Sequence, residues 1–248
     1  MKTEDRVAVV IPSRYGATRL PGKPLAEING RPMIWHVWDK AVRAKIPARV
    51  VVATDDERIA SAVRGFGGIA VMTSPDCASG TDRAAQAARD MEEEIIINLQ
   101  GDEPLMDPSV IDAVSSPFFS DRDVLMSTAA LPGNDPVEFA RPSVVKVVVD
   151  DKGDALYFSR APIPHYRDAG TGAYRKHLGI YGYRREFLFR VAALAPSALE
   201  EAERLEQLRV LQAGYRIRVV DVTCDSVGVD TPEDLKAVKE RLCGPTDR

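Results

Sequence analysis

Hydrophobic and polar positions along the chain follow two patterns that predict strands and helices in turn. Short continuous apolar runs are typical of strands buried on both faces, and apolar residues every three or four positions are typical of helices that pack one face on a core. Up to residue 100 the predicted strands are residues 7–11, 50–54, 69–72 and 95–100, and the predicted helices are residues 31–45, 57–64 and 81–93. This alternation predicts an α/β fold with a doubly wound, mainly parallel, Rossmann-like sheet.

Two features refine the prediction of the first helix. Pro32 opens the first predicted helix, as proline does at a first helical position. Its buried stripe is predicted to contain Met33, Ile34, Val37, Trp38, Ala41 and Val42.

The pattern changes at about residue 144. Residues 144–149 and 155–159 are rich in β-forming residues and flank the polar turn 150–154, which predicts an inserted antiparallel hairpin. Residues 167–176 contain small residues and no apolar periodicity, so we predict a mobile loop there that acts as a lid. We expect one domain over residues 1–248, with the inserted element within about 131–185.

The remaining predicted elements are a strand at 177–183, a helix at 198–212, a strand at 216–222 and a helix from Thr231 to about residue 242. The apolar spacing of the first helix predicts that its buried side contains Leu199, Leu205, Leu208 and Leu211. Thr231, Pro232 and two first-turn acids form an N-terminal signature for the second helix.

Composition narrows the class of protein. With 248 residues, 45% hydrophobic and 28% charged, the chain is expected to be globular rather than disordered or collagenous. The 33 Lys and Arg against 37 Asp and Glu give a net charge of −4, which predicts no nucleic-acid partner and requires a local cationic cluster for any anionic ligand. No signal peptide or membrane span is expected, and three cysteines without metal-ligand spacing predict a reduced, cytoplasmic protein.

A cationic loop follows the first strand. Between residues 7 and 26 the only charged residues are Arg14, Arg19 and Lys23. A loop leaving the carboxyl end of a strand in such a sheet faces the ligand crevice, so these cations can surround a polyphosphate. The spacing excludes a Walker A loop, because Gly16 to Gly22 is one residue too long and Pro24 replaces the magnesium-binding hydroxyl. A solvated basic loop remains the alternative.

Two acidic segments could complete such a site. Asp102 follows an apolar strand, and Asp230 precedes the last predicted helix. Both positions are predicted at the same crevice, where two carboxylates and phosphate oxygens suit Mg²⁺. Taken singly, each acid also fits an ordinary turn or an exposed position before a helix cap.

Several motifs, in order and nearly end to end, resemble the 3-deoxy-D-manno-octulosonate (Kdo) cytidylyltransferase family. They are Ile11-Pro12-Ser13-Arg14-Tyr15, Thr18-Arg19-Leu20-Pro21-Gly22-Lys23-Pro24, Ala53-Thr54-Asp55, Ser79-Gly80-Thr81-Asp82-Arg83, Gln100-Gly101-Asp102-Glu103-Pro104, Ala155-Leu156-Tyr157-Phe158-Ser159-Arg160, His177-Leu178-Gly179-Ile180-Tyr181-Gly182-Tyr183, Leu205-Glu206-Gln207-Leu208-Arg209 and Gly228-Val229-Asp230-Thr231-Pro232-Glu233-Asp234. The opening loop by itself indicates only a sugar nucleotidyltransferase.

The resemblance implies a role for each matched residue. It implies that the triphosphate is bound by Arg14, Arg19 and Lys23, the cytosine by Ser79, Gly80 and Arg83, and Mg²⁺ by Asp102 and Asp230. It implies a sugar pocket formed by Gln100, Arg160, His177, Tyr181, Glu206 and Gln207. Lys23, Asp102, Asp230 and Arg14 would then be the catalytic residues.

The implied reaction is attack of the Kdo C2 hydroxyl on the α-phosphorus of CTP, which forms CMP-Kdo and diphosphate for lipopolysaccharide synthesis. The family also implies a homodimer, with the hairpin of residues 144–159 as the candidate contact. The acidic run Glu201-Ala202-Glu203 departs from the family pattern, so the resemblance does not specify which residues form the rim of the sugar pocket. A related sugar acid, such as a sialic acid or 8-amino-Kdo, and a non-catalytic nucleotide-binding module remain alternatives.

Overall fold

The computed structural model of the chain describes residues 7–16, 20–168 and 172–243. The described strands are β1 (Val7–Ser13), β2 (Glu27–Ile28), β3 (Arg31–Pro32), β4 (Arg49–Thr54), β5 (Ile69–Met72), β6 (Ile95–Leu99), β7 (Met126–Gly133), β8 (Lys146–Val149), β9 (Ala155–Ser159), β10 (Tyr174–Arg184) and β11 (Arg218–Asp221). The described helices are α1 (Met33–Arg43), α2 (Glu57–Gly65), α3 (Gly80–Ala87), α4 (Pro108–Ser115), α5 (Pro117–Ser120), α6 (Pro136–Ala140), α7 (Arg185–Ala193), α8 (Ala198–Glu203), α9 (Gln207–Gln212) and α10 (Pro232–Cys243). Within these residues, every helix is too short or too polar to span a membrane.

The main sheet is mostly parallel. Its principal strands lie in the order β11-β7-β10-β6-β1-β4-β5, and β10 is antiparallel to both of its neighbours in this order. β1 lies between β4 and β6 and is parallel to both, so the chain winds outward in two directions from β1. The carboxyl ends of β1 and β6 therefore border the crevice where such sheets bind ligands. The predicted α/β fold is confirmed.

Helices cover both faces of the sheet. Because side chains alternate along a strand, Ala8 and Val10 of β1 belong to one apolar cluster and Val9 and Ile11 to the other. The first cluster includes residues of α3 and α7, and the second includes residues of α1, α2 and α4. Burial on both faces explains why β1 and β6 are continuous apolar runs.

The predicted hairpin is confirmed as β8 and β9. Asp150 N donates to Asp154 O at 2.9 Å and closes the turn, in which Gly153 has a φ of 80°. β8 also pairs with β10, so the hairpin extends the main sheet. The single domain over residues 1–248 stays a prediction.

Four predictions about local elements need correction. The helix predicted at 81–93 ends at Ala87, after which a 3₁₀ turn at Ala88–Asp90 buries Ala88 and Met91 and directs the chain into β6. Val42 was expected on the buried stripe of α1 but is 50% exposed, because it lies about 100° around the helix from Ala41, which faces the core. The helix predicted at 198–212 is broken into α8 and α9, and Leu199 is correspondingly exposed.

The fourth correction concerns the predicted lid at 167–176. Residues 174–176 belong to β10, where they pair with β7 and β8, so this half of the segment is part of the sheet. Residues 169–171 lie outside the described part of the chain.

Candidate active site

The loop after β1 turns back sharply and presents Lys23. Gly22 N donates to Tyr15 O at 3.1 Å, and Gly22 adopts a left-handed φ of 70°. A side chain there would also meet the Tyr15 ring at 3.2 Å, so glycine suits this turn for two reasons. Lys23 and Pro24 then begin a 3₁₀ turn at Lys23–Leu25, which directs Lys23 into the crevice.

Lys23 joins the two acidic segments. Its Nζ donates to Asp102 Oδ2 at 2.7 Å, to Asp230 Oδ1 at 3.3 Å and to the Val229 carbonyl at 2.7 Å. The sequence prediction that Asp102 and Asp230 converge beside the cationic loop is confirmed. Opposite charges within hydrogen-bond reach explain why two carboxylates are tolerated at one point.

Asp230 is presented by the start of α10. Asp234 Oδ2 accepts hydrogen bonds from Asp230 N at 3.0 Å and from Thr231 N at 2.9 Å. Thr231 Oγ1 accepts from Asp234 N at 3.2 Å, which confirms the predicted cap at Thr231. These bonds order the backbone on which Asp230 stands.

Two adjacent chambers share the two aspartates of this cluster. The first chamber, about 320 Å³, lies between the loop after β1 and the start of α3, and it is lined by Arg14, Lys23, Ser79, Gly80 and Arg83 among others. The second, about 730 Å³, lies between β10 and α9. Both chambers are lined by Gly80, Gln100, Asp102 and Asp230. Arg19 lies outside the described residues.

Gly80 begins α3 at the junction of the chambers. A β-carbon at this position would lie 2.7 Å from Gln100 Oε1, so a larger residue here would require the Gln100 side chain, which lines both chambers, to move. The Ser79 hydroxyl accepts from Asp82 N at 3.1 Å, and Asp82 accepts from Ser79 N at 2.9 Å. The capping box therefore takes up much of the hydrogen-bonding capacity of Ser79.

Arg83 forms part of the wall of the first chamber. It is buried, and its guanidinium donates to Asp55 Oδ2 at 2.8 Å and Thr73 Oγ1 at 2.6 Å. Its charge is thus balanced inside the protein, and Asp55 of the Ala53-Thr54-Asp55 motif gains a structural role.

The second chamber is lined by every residue that the family resemblance assigns to a sugar. Strand β10 contributes His177 and Tyr181, β9 leads into Arg160, and the start of α9 contributes Glu206 and Gln207, while Gln100 follows β6. The structure therefore brings all six residues to one cavity.

His177 is held as a neutral ring. Its Nε2 lies 3.0 Å from Thr128 Oγ1, whose own hydrogen points to the Ile180 carbonyl at 2.7 Å. This network assigns the ring hydrogen to Nε2 and leaves Nδ1 as a hydrogen-bond acceptor. Burial lowers the pKa of His177 to about 3, so the ring is uncharged at neutral pH.

Burial also shifts the pKa of two other groups of the second chamber. It raises the pKa of the Tyr181 hydroxyl, which keeps the phenol protonated and able to donate. It raises the pKa of the Glu206 carboxyl as well, against the opposing effect of a hydrogen bond from Thr81.

Glu206 and Gln207 both line the second chamber from the start of α9. Arg204 adopts a left-handed φ of 54° and ends α8, so a new helix begins at Gln207. Glu206 has helical torsions, φ −58° and ψ −37°, so these neighbours still point about 100° apart, and both reach the chamber because the start of α9 lies in its wall. Gln207 is 4% exposed, and the described residues offer no hydrogen-bond partner to its Nε2. A buried donor of this kind suits a polar ligand.

Arg160 is anchored to the same break. Its Nε donates to the Glu203 carbonyl at 2.8 Å and its Nη1 to the Pro142 carbonyl at 3.1 Å. The Glu203 carboxylate accepts from Ser159 Oγ at 2.5 Å and from Arg160 N at 2.9 Å. The unexpected acid at 203 therefore supports the wall of the second chamber.

Glu103 was not predicted as a site residue, although it belongs to the motif Gln100-Gly101-Asp102-Glu103-Pro104. The Glu103 carboxylate lines the second chamber and accepts a hydrogen bond from Ser226 Oγ at 2.5 Å. Burial raises its pKa to about 7. Its place directly after Asp102 was the available signal.

Comparison with known proteins identifies the family. A family model described as cytidylyltransferase matches residues 8–217. A 3-deoxy-manno-octulosonate cytidylyltransferase of Geobacter metallireducens is 48% identical over 96% of this chain and 98% of its own length. One of Solibacter usitatus is 50% identical over 94% of this chain and 93% of its own. The chain belongs to the 3-deoxy-manno-octulosonate cytidylyltransferase family.

A solved structure agrees with this assignment. The CMP:2-keto-3-deoxy-manno-octonic acid synthetase, complexed with CTP, has a TM-score of 0.93 and 45% identity, covering 98% of this chain and all of the other. The 4-diphosphocytidyl-2C-methyl-D-erythritol synthase of Anaerococcus prevotii, with a TM-score of 0.63 and 14% identity over 97% of this chain and 99% of its own, shares the fold. The family resemblance predicted from the sequence motifs is confirmed.

Proposed function

We propose that this chain transfers CMP from CTP to Kdo and so forms CMP-Kdo and diphosphate for lipopolysaccharide synthesis. The observation that carries this proposal is the meeting of two adjacent chambers at Asp102 and Asp230, both of which pair with Lys23. A cationic first chamber suits the triphosphate, and a second chamber of paired donors and acceptors suits a sugar acid. The choice of CTP and Kdo is supported by the relatives named 3-deoxy-manno-octulosonate cytidylyltransferase and by the synthetase solved with CTP.

The two aspartates fit a magnesium ion. Within the described residues, no group of three or more His, Cys, Asp and Glu side chains is arranged to hold a metal. The candidate ligands are Asp102 and Asp230, which both contact Lys23. Mg²⁺ is usually held by one or two carboxylates together with substrate phosphates and water, and this donor set matches that need. When bound, Mg²⁺ would polarise the α-phosphate and lower the pKa of a hydroxyl bound to it.

The protein's own groups act mainly by positioning and by balancing charge. We assign Arg14, Arg19 and Lys23 to the triphosphate, where they offset negative charge on the departing diphosphate. We assign Ser79, Gly80 and Arg83 to the cytosine, with the start of α3 against the nucleotide. The proposed mechanism uses no dedicated general base from the protein.

The six residues of the second chamber would orient the sugar acid. Arg160 is the candidate partner for the carboxylate, while His177 Nδ1 accepts a hydrogen bond from a hydroxyl and Gln207 Nε2 donates one. Gln100, Tyr181 and Glu206 complete the set. Orientation of the C2 hydroxyl in line with the α-phosphorus is what this arrangement contributes to the rate.

A homodimer remains part of the proposal, with residues 144–159 as the contact. Leu156 on β9 is 62% exposed, which supports an apolar contact there. Sedimentation of the wild type and of Leu156→Lys would test it, and equal masses at the dimer value would reject the hairpin as the contact. The proposed location is the cytoplasm, which agrees with the free thiols of Cys77 and Cys224.

One assay tests the function. The purified chain is incubated with CTP, Mg²⁺ and in turn Kdo, 8-amino-Kdo and N-acetylneuraminic acid, and diphosphate release is measured. We expect the highest kcat/KM with Kdo. A higher value with another acid would reassign the sugar, and CTP binding without diphosphate release from any acid would indicate a non-catalytic module.

A further inference from the structure

The segment that delivers Asp230 has no regular secondary structure. Strand β11 ends at Asp221 and α10 begins at Pro232, so residues 222–231 depend on individual contacts for their position. Two of these contacts are at Val229, whose N donates to the Asp102 carbonyl at 2.8 Å and whose carbonyl accepts from Lys23 Nζ at 2.7 Å. The site thus requires residues 226–230 to lie directly against the loop after β6.

Glu103 makes a side-chain contact between the same two segments. Its Oε2 accepts a hydrogen bond from Ser226 Oγ at 2.5 Å, and Ser226 is only 8% exposed. Asp225 Oδ1 accepts from Ser226 N at 2.9 Å, and Asp225 pairs with Lys176 of β10 at 2.8 Å. Ser226 is therefore oriented from both its backbone and its side chain.

Glycine makes room for this contact. A β-carbon at Gly228 would lie 3.1 Å from Glu103 Oε1, which is closer than ordinary van der Waals packing allows. Gly179 of β10 lies on another side of the same oxygen, at 4.0 Å from its own hypothetical β-carbon. The Glu103 carboxylate thus lies between two backbone segments, and a side chain at residue 228 would require it to shift by a few tenths of an ångström.

We propose that Glu103 is a positioning residue for Asp230. Through Ser226 it holds residues 226–230 against the loop after β6 and so sets the separation of the Asp102 and Asp230 carboxylates. Glu103 follows Asp102 directly, so a single turn presents one candidate metal ligand and aligns the other. This inference rests on the proposed function, in which both aspartates hold Mg²⁺.

The expected effect of losing Glu103 can be compared with the loss of other groups that orient metal ligands. Loss of such a partner typically lowers metal affinity by roughly 10- to 100-fold. Mg²⁺ demands near-ideal geometry, so a displaced carboxylate weakens its binding. We therefore expect the enzyme to need a higher Mg²⁺ concentration, while its affinity for the sugar acid stays the same.

The first experiment compares Ser226→Ala with Ser120→Ala in the full chain. The control variant Ser120→Ala also loses a hydroxyl. In the wild type this hydroxyl donates to the Pro117 carbonyl at 3.2 Å, outside both chambers. Two quantities are measured: amide hydrogen exchange of residues 222–231 without substrate, and the Mg²⁺ concentration that half-saturates diphosphate release. We expect Ser226→Ala to speed exchange in this segment and raise that concentration roughly 10-fold, with Ser120→Ala unchanged.

The second experiment compares Glu103→Gln with Glu103→Ala. The glutamine keeps an acceptor oxygen for Ser226, so we expect partial rescue, with exchange and Mg²⁺ requirement between those of the wild type and the alanine variant. Wild-type exchange and Mg²⁺ requirement in both Ser226→Ala and Glu103→Ala would overturn the proposal. A higher KM for Kdo in both Glu103 variants, with those two quantities unchanged, would also overturn it and make Glu103 a sugar contact.

The exchange measurement separates this proposal from the proposed function. It needs no substrate, so it reports on residues 222–231 even if the wild type releases no diphosphate. In that case the function fails, while faster exchange in Ser226→Ala, with unchanged exchange in Ser120→Ala, would still support the positioning contact.

Discussion

Lys23 Nζ lies 2.7 Å from Asp102 Oδ2 although 79 positions separate the two residues in the chain. The same nitrogen contacts Asp230, 207 positions away. A single ammonium group thus marks the point where the loop after β1, the loop after β6 and the start of α10 meet. The two aspartates at this point line both chambers.

Replacing either aspartate by asparagine should reduce turnover. Asp102→Asn and Asp230→Asn keep the side-chain size but remove a charge that the proposed Mg²⁺ site requires, so we expect each to lower kcat by roughly 10²-fold or more. Diphosphate release at saturating CTP and Kdo measures this. Asp151→Asn, at an exposed position of the β8–β9 turn, is the control. Near-normal release from both site variants would reject the metal assignment.

Loss of the Glu203 carboxylate should affect the sugar more than the nucleotide. Glu203→Ala removes the acceptor of Ser159 Oγ and Arg160 N, so the end of β9 would lose its attachment to the second chamber. A buried donor left unpaired costs about 1–3 kcal/mol, and we expect a KM for Kdo raised roughly 10-fold, with the KM for CTP changed less than about 2-fold. The exposed neighbour Glu201→Ala serves as the control. Equal changes in both KM values would contradict this prediction.

A methyl group at Gly101 should separate the loops after β1 and β6. A β-carbon there would lie 2.8 Å from the Pro12 carbonyl, which is backbone and has no room to rotate away. We expect Gly101→Ala to lower kcat/KM for CTP roughly 10-fold or more through misplacement of the first chamber. Gly65→Ala adds the same methyl group where nothing lies within 4 Å. A Gly101→Ala variant that matched it in kcat/KM would refute the steric argument.

The partly buried His177 should make the fold less stable in acid. Its pKa in the folded chain, about 3, is below the ordinary value of 6.5, so below pH 6.5 the unfolded chain takes up a proton that the folded chain does not. This contribution to the free energy of unfolding is present above pH 6.5 and is lost as the pH falls towards 3. The loss is at most about 1.4 kcal/mol per pH unit.

Urea denaturation between pH 7.5 and 4.5 tests this effect in the wild type and in His177→Gln. We expect the free energy of unfolding of the wild type to fall more steeply with decreasing pH than that of the variant. Parallel pH profiles for the two proteins would show that His177 titrates normally in the folded chain.

Lys146 should be essential for stability although it carries a charge. It is fully buried, and its Nζ donates to the carbonyls of Arg141, Val144 and Arg160 at 3.1, 2.7 and 2.5 Å. Lys146→Met preserves the length of the side chain but leaves three acceptors without their donor, so we expect the free energy of unfolding to fall by about 2–4 kcal/mol. Urea denaturation measures it, and the exposed Lys152→Met is the control. Equal midpoints for both variants would contradict the prediction.

The local pattern of the chain was sufficient to predict most of the sheet. Strands such as β1 and β6 are apolar on both faces and therefore stand out as continuous runs. Helix breaks were less visible, because the apolar spacing of residues 198–212 continues across Arg204, where a single left-handed residue ends α8. Backbone torsion at one position has no counterpart in hydrophobic periodicity.

The sequence by itself determined the fold class, the family motifs and the residue types of both chambers, because these follow from local periodicity and from short segments that keep their chemistry in any context. Only the tertiary structure decided which of those side chains are bound by other protein groups. Arg83 is paired with Asp55, Arg160 with backbone carbonyls, and Glu103 with Ser226. Such partners are distant in the chain and come together only when the sheet places their loops at one edge, so no local pattern could predict them.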